Sequence, residues 1–304
     1  MEESIDGTHN FIIFFSYIGI GFNGSAYQKD NNNTVENKLI ERLQQLDLIS
    51  DSNCSFSRVS RTDKGVSARM NALTIRLKIK YPHLSISIIE KIYLKELNKK
   101  LKNIQIIHIQ CVPNNFDARL NCIQRTYVYF FINKNYNIAK MNEAAKIFLG
   151  EHDFSNFCKK RKNNTSFIRT IHKFEIKNID QNFYYFKIKG TSFLYNQIRH
   201  MVAALFLVGK GQLDEQDIKT MLENNSIKNK NYKIADECGL LLYSFKFSDI
   251  NFNFNVDNKI FLNVMNKYIQ TTILVVSLCY PLKIKKPSEN FFENINDETK
   301  EILQ

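Results

Sequence analysis

The sequence predicts an α+β fold built from two similar βαββαβ halves, and three observations carry that expectation. Runs rich in aromatic and β-branched residues alternate with amphipathic helical patterns in the order βαββαβ. The same order recurs in the second half of the chain. The 304 residues, 44% apolar and 24% charged, suit two ordinary cores or one large one.

The elements follow in order. Residues 1–10, MEESIDGTHN, are acidic and polar, unlike a secretory signal or an Arg-rich transit peptide, and are expected to form a flexible lead-in. FIIFFSYI, Phe11 to Ile18, reads as a buried strand closed by Gly19 and Gly21. Thr34 is placed to cap a helix whose apolar positions Val35, Leu39, Leu43 and Leu46 recur at helical spacing. A short strand is expected around Cys54 to Val59. After the Arg-Thr-Asp-Lys-Gly loop comes a strand with Leu73, Ile75, Leu77 and Ile79 on one face. Thr74, Arg76 and Lys78 face the other way, so that side should be wet or covered by something polar. A helix over Ser85 to Leu101 and a strand over Ile104 to Val112 complete the first half, in the ferredoxin-like arrangement.

The second half opens with RTYVYFFIN, Arg125 to Asn133, a strand carrying Tyr127, Tyr129 and Phe131 on one face. A helix ended by Gly150 follows, then two strands around Asp180 to Asn182, a helix starting at Ser192, a polar helix near Asp214 to Asn225, and the last strand, Gly239 to Phe247. The expected domains are therefore 11–113 for the first half, 114–249 for the second, and 250–304 for a helical extension with a polar tail. The seam between two such halves is a natural cleft.

Forty-two Lys and Arg against thirty Asp and Glu leave a net charge of +12, which favours a polyanionic partner through Coulomb attraction and counterion release. A bias towards Asn, Lys and Ile along the whole chain also raises basicity whatever the function. The six cysteines (Cys54, Cys111, Cys122, Cys158, Cys238 and Cys279) form no CxxC pair or Cys/His cluster, so neither a zinc site nor a disulfide framework is expected. The longest apolar run, Ile273 to Leu282, is too short to span a bilayer. A soluble cytoplasmic or nuclear protein is the expectation.

Several residues invite two readings. Asp63 in SRTDKG reads as a turn residue, with Gly65 supplying a positive φ. Arg61, Lys64 and Arg69 around it would keep its carboxylate ionised, which suits a nucleophile. Arg199 is either an arginine on the exposed stripe of an otherwise apolar helix or a partner for a carboxylate at the seam. Tyr127 is either a core aromatic or a platform for an unpaired base. The run Lys159, Lys160, Arg161 and Lys162 is either a solvated loop or one that faces phosphates. No Walker loop, GxGxxG, HExxH or nucleophile elbow is present, so cofactor-free and metal-free chemistry is expected.

Together these blocks resemble the TruA-type tRNA pseudouridine synthases. The likeness runs in order through Gly21 to Gln28 with TVENKL, SRTDKGVSAR, NNFDARLNCIQRTYVYFF, GEHDFSNFCK, RTI at Arg169 to Ile171, GTSFLYNQIRHMVAALFLVGKG and CGLLLYSFKF. RTDKGVSA, with Ser67 where bacterial members usually carry His, is similar to the eukaryotic branch. GFNGSAYQ, NNNTVENKL and QIRHMVAALFLVGKG are most similar to the subfamily acting on tRNA positions 38 and 39. The chain departs from the family at Ser60, where Gly is usual.

The resemblance implies a pseudouridine synthase fold whose two halves form a central mixed, mainly antiparallel sheet flanked by helices. It implies that Asp63 is the catalytic aspartate, that Arg61 helps displace the target nucleotide, and that Thr62 and Lys64 belong to the same substrate-binding loop. Tyr127 matches the tyrosine that stacks on the uracil, Arg199 the arginine that pairs with the aspartate, and Gly239 and Leu240 the lining of the uracil pocket. tRNA is the implied partner, with no cofactor and no membrane, in nucleus, cytoplasm or both; a homodimer is compatible with the family. Three rivals remain: an inactive RNA-binding member, a tandem scaffold binding RNA through a bare sheet, and the sister eukaryotic subfamily with other RNA targets.

Overall fold

A computed structural model describes residues 7–50, 55–160, 166–180, 182–223, 232–248 and 252. The chain divides into two compact units, residues 1–123 with 242–271, and residues 124–241 with 272–304. Both combine strands and helices, the α+β class the sequence predicts. The expected extension over 250–304 lies outside the described residues apart from Phe252, as do the first six residues of the lead-in.

In the first unit β1 (Thr8–Tyr17), α1 (Val35–Gln45), β2 (Phe56–Arg58), β3 (Ser67–Lys78), α2 (Ile86–Asn98) and β4 (Ile104–Cys111) follow in the predicted order. β1 pairs antiparallel with β4 on one side and β3 on the other, and β2 adds to β3 through Arg58↔Leu73 and its neighbours. This is the 4-1-3-2 order of a ferredoxin-like half. β1 is buried on both faces, with Phe11 to Phe15 at most 1% exposed, which explains its unbroken apolar run.

α1 forms as the pattern predicts. The Thr34 hydroxyl accepts the Asn37 N–H at 3.2 Å, and Val35, Leu39 and Leu43 are buried, while Leu46 forms the C-cap and is only half-buried. α2 stops at Asn98, three residues short of the predicted end. Its side-chain amide instead bonds both the N–H and the C=O of Ile106, tying the helix end to β4. β3 ends at Lys78, so Ile79 falls outside it. Its polar face is covered as expected. Thr74 Oγ1 accepts the Ala118 N–H, and Arg76 bonds Thr8 and the Asn114 amide.

The second unit contains β5 (Cys122–Ile132, its first two residues in the first unit), α3 (Ile138–Lys146), β6 (Gly150–Asp153), β7 (Ile168–Asp180), β8 (Phe183–Gly190), α4 (Gln197–Gly209) and α5 (Glu215–Glu223). The strand order is β5-β8-β7-β6, every pair antiparallel. The last strand, β9 (Leu240–Phe247), starts in this unit and continues in the first from Leu242 onward.

Three expectations are corrected here. β6 is an added strand, because GEHD has no apolar alternation and forms only by pairing with Ile168 to Ile171. α3 ends at Lys146, and a tighter turn bonds Ile147, Phe148 and Leu149 to carbonyls three residues back before Gly150 opens β6 at a φ of 94°. α4 starts at Gln197 rather than Ser192, since Asn196 sits in the left-handed region at a φ of 63° and interrupts any earlier helix. The face of β5 bearing Tyr127, Tyr129 and Phe131 is buried, with Phe206 of α4 against Phe131 at 5.2 Å.

Candidate active site

The acid that the sequence singles out lies in the first unit, in the link from β2 to β3. Asp63 is half-buried, Arg61 and Lys64 are exposed, and Thr62 is buried. The Val66 N–H donates to the Asp63 carbonyl at 3.1 Å, closing a four-residue turn in which Gly65 has a φ of 80°. Gly65 therefore takes the conformation that the Asp-Lys-Gly pattern calls for.

This turn is fastened on several sides to the segment after β1. The Gly65 N–H reaches the Phe22 carbonyl at 3.3 Å, and the Ser67 hydroxyl accepts the Gly19 N–H at 2.9 Å. Gly19 allows the approach: a Cβ there would lie 2.2 Å from the Val66 carbonyl oxygen, far inside contact distance. Ser25 takes Thr62 from both backbone sides, its hydroxyl accepting the Thr62 N–H at 2.8 Å and its own N–H donating to the Thr62 carbonyl at 3.1 Å. The Thr62 hydroxyl lies 2.8 Å from the phenol oxygen of Tyr17. Ser60, the departure from the family pattern, fits the loop, with its carbonyl held by the Asn71 amide at 2.9 Å.

Cations surround this region in different ways. Arg69 is buried, its guanidinium 4.4 Å above the Tyr243 ring, a cation–π contact. Glu36, 1% exposed at the start of α1, forms an ion pair with the Arg58 guanidinium at 2.6 Å and accepts the Tyr27 N–H at 2.7 Å. Burial pushes the Glu36 carboxyl up, and the Arg58 and Tyr27 contacts pull against it without fully offsetting the rise. Sequence reasoning missed Tyr17, Ser25, Glu36 and Arg58. Ser25 stands inside GFNGSAYQ, a block whose likeness to the family carries no signal of its contacts.

The other predicted site residues lie in the second unit. Tyr127 on β5 is 5% exposed and meets the Phe193 ring edge-on at 5.3 Å, consistent with a core aromatic. Arg199, in the first turn of α4, donates from Nε to the Ala235 carbonyl at 2.7 Å and forms an ion pair with Glu237 at 2.9 Å. The Ala235 N–H returns to the Arg199 carbonyl at 3.3 Å, so Arg199 and the segment before β9 clasp each other.

That segment also sits tightly on β5. The Tyr129 hydroxyl donates to the Asp236 carbonyl at 2.9 Å, and a Cβ on Gly239 would stand 2.5 Å from the Phe130 carbonyl oxygen. Gly239 is thus required by close approach, and Leu240 beside it is buried. Lys159 and Lys160 are exposed, with ammonium groups 5.8 Å from the Tyr195 ring and 5.7 Å from the Phe167 ring. Arg161 and Lys162 lie outside the described residues. Among the described residues no group of three or more His, Cys, Asp or Glu could hold a metal ion, and no helix is long and apolar enough to cross a membrane.

An acid on a fastened turn between two strands is an arrangement suited to nucleophilic or acid–base chemistry at a bound substrate. The family described as tRNA pseudouridine synthase matches residues 144–248. A Pyrococcus furiosus protein named tRNA pseudouridine synthase A is 32% identical over 246 residues, covering 80% of this chain and 85% of that one. The chain belongs to the tRNA pseudouridine synthase family.

Two eukaryotic relatives carry the name tRNA pseudouridine(38/39) synthase. The Saccharomyces cerevisiae protein is 36% identical over 253 residues, 78% of this chain, and the Homo sapiens protein 33% identical over 278 residues, 82% of this chain. The chain spans 57% of the length of the yeast relative and 58% of the human one.

Proposed function

We propose that this protein isomerises uridine to pseudouridine in the anticodon stem-loop of tRNA, at positions 38 and 39. Asp63 is the nucleophile, Arg61 helps displace the target nucleotide, Tyr127 stacks on the uracil, and Arg199 takes the part of the family arginine that pairs with the acid. Thr62 and Lys64 belong to the binding loop, and Gly239 and Leu240 line the uracil. The observation that supports this reading most is the fastened Asp63–Val66 turn, which fixes a half-buried carboxylate ahead of β3.

The chemistry balances with no external reagent. The target uridine leaves the stack at a cost of a few kcal/mol. The bond from uracil N1 to C1′ of the ribose breaks, the uracil turns, and a bond from C5 to C1′ forms. A base removes the proton from C5, and N1 gains one. The carboxylate serves by attack at the sugar or the ring, or by assisting elimination. Fixing the half-buried carboxylate raises its effective concentration at the target, since orientation replaces a bimolecular encounter.

Purified protein incubated with an unmodified tRNA transcript bearing uridines at 38 and 39 is expected to form pseudouridine at those positions, read by nucleoside mass spectrometry and site mapping. Asp63→Ala is expected to bind the transcript and to lose roughly 10³-fold or more in rate, the scale seen when a nucleophile is removed. Full activity in Asp63→Ala would overturn the assignment. Product at other uridines only would favour the sister subfamily.

A further inference from the structure

Thr62 connects the Asp63 turn to the end of β1 through an arrangement that backbone hydrogen bonds alone would not require. Its hydroxyl meets two partners at once, the Tyr17 phenol oxygen at 2.8 Å and the Val66 carbonyl at 3.4 Å. Only one donor assignment satisfies all three groups: Tyr17 donates to Thr62 Oγ1, and Thr62 donates to Val66. The Thr62 hydroxyl therefore spans the base of the same turn whose closing bond runs from the Val66 N–H to the Asp63 carbonyl. Both bonds span the segment that carries Asp63.

Tyr17 is fully buried and Thr62 nearly so. Ser25, also buried, fixes the Thr62 peptide from both sides. The pairing of β1 with β3 changes register between Phe15 and Tyr17, an irregularity that re-aims side chains next to a functional site. A phenol buried at the end of a strand usually finds a partner, and this one finds the hydroxyl adjacent to the acid.

We propose that Tyr17 is a positioning residue for the isomerisation, setting the Asp63 carboxylate through the Thr62 hydroxyl, with Ser25 holding the Thr62 peptide. The inference rests on the functional reading above. Neither Tyr17 nor Ser25 touches substrate; each acts on the turn. Removing the phenol oxygen leaves the ring packed and the strand intact but takes from the Thr62 hydroxyl the shorter of its two bonds, leaving only the 3.4 Å bond to Val66, which loosens the turn that carries the carboxylate. A displacement of about 1 Å at a reacting group costs on the order of 10²-fold in rate.

The test uses the full chain with Tyr17→Phe, Thr62→Val and the double variant Tyr17→Phe/Thr62→Val. Hydrogen–deuterium exchange across Arg61 to Val66 reads the turn, and single-turnover pseudouridine formation at saturating tRNA reads the chemistry. Tyr17→Phe is expected to speed exchange in that segment and to slow the reaction roughly 10- to 100-fold, with tRNA affinity unchanged. Thr62→Val should likewise speed exchange and slow the reaction, and the double variant should do no more than either single. Unchanged exchange in Tyr17→Phe overturns the proposal, as does a parent-like rate in that variant. Slowing that is additive in the double variant also overturns it, because the two groups would then act separately. If the parent itself forms no pseudouridine, the functional reading fails and the catalytic role falls with it. That result is distinct from an active parent with an equally active Tyr17→Phe.

Discussion

Asp117 illustrates how one carboxylate organises a turn. Its Oδ1 accepts the Ser57 hydroxyl at 2.6 Å and the Arg119 and Leu120 N–H groups at 2.8 Å. Partial burial pushes the carboxyl up, but the Ser57 hydroxyl and the Leu120 and Arg119 amides outweigh it, so the acid lies below its ordinary value. The folded chain thus binds this proton less readily than the unfolded chain. The group contributes stability in full above pH 3.8, the ordinary value, and loses it as the pH falls through the lower folded value. Asp117→Asn is expected to lower the urea midpoint near neutral pH, with the gap to the parent narrowing below pH 3.8. A gap that stays constant with pH would show that the charge plays no part.

At the scale of elements, α1 carries the segment that backs the acid turn. Its N-terminus bonds to that segment directly, Glu36 N–H to the Ser25 carbonyl at 3.0 Å and Val35 N–H to the Gly24 carbonyl at 3.4 Å. The Thr34 cap therefore stabilises both the helix and the loop it anchors. Thr34→Ala should cost about 1 kcal/mol in equilibrium urea unfolding, the usual cost of losing such a cap. A cost near zero would mean that the Asn37 N–H finds another acceptor. The helix boundaries were legible where a cap and an apolar stripe coincide, as at Thr34. They were less so where a side chain chose a distant partner, as at Asn98, or where a left-handed residue intervened, as at Asn196. Neither event leaves a local pattern, because the competing bond comes from residues remote in sequence.

Over the whole molecule, the excess of cations bears on the proposed function. If tRNA is the substrate, a net charge of +12 is expected to make its affinity fall with salt, each neutralised phosphate adding to the slope of log K against log salt. If Lys159 and Lys160 face phosphates, changing both to Ala lowers that slope by about 2, one for each contact. Filter binding over a salt series measures it, and an unchanged slope would assign both lysines to a solvated loop. The order of strands and helices apart from β6, the buried strands and the family itself could be read from the chain, because hydrophobic period and turn residues are local signals. Asp63 could be identified as a turn residue and, through the family blocks, as a candidate acid. What holds that turn could not, since Tyr17 and Ser25 reach it from a segment dozens of residues away and their hydroxyls carry no periodic signature. The sequence by itself thus determined the α+β class and the family, and offered Asp63 as the candidate acid. Only the tertiary structure decided how the acid is held, because hydrogen bonds between distant segments exist only once the chain has folded.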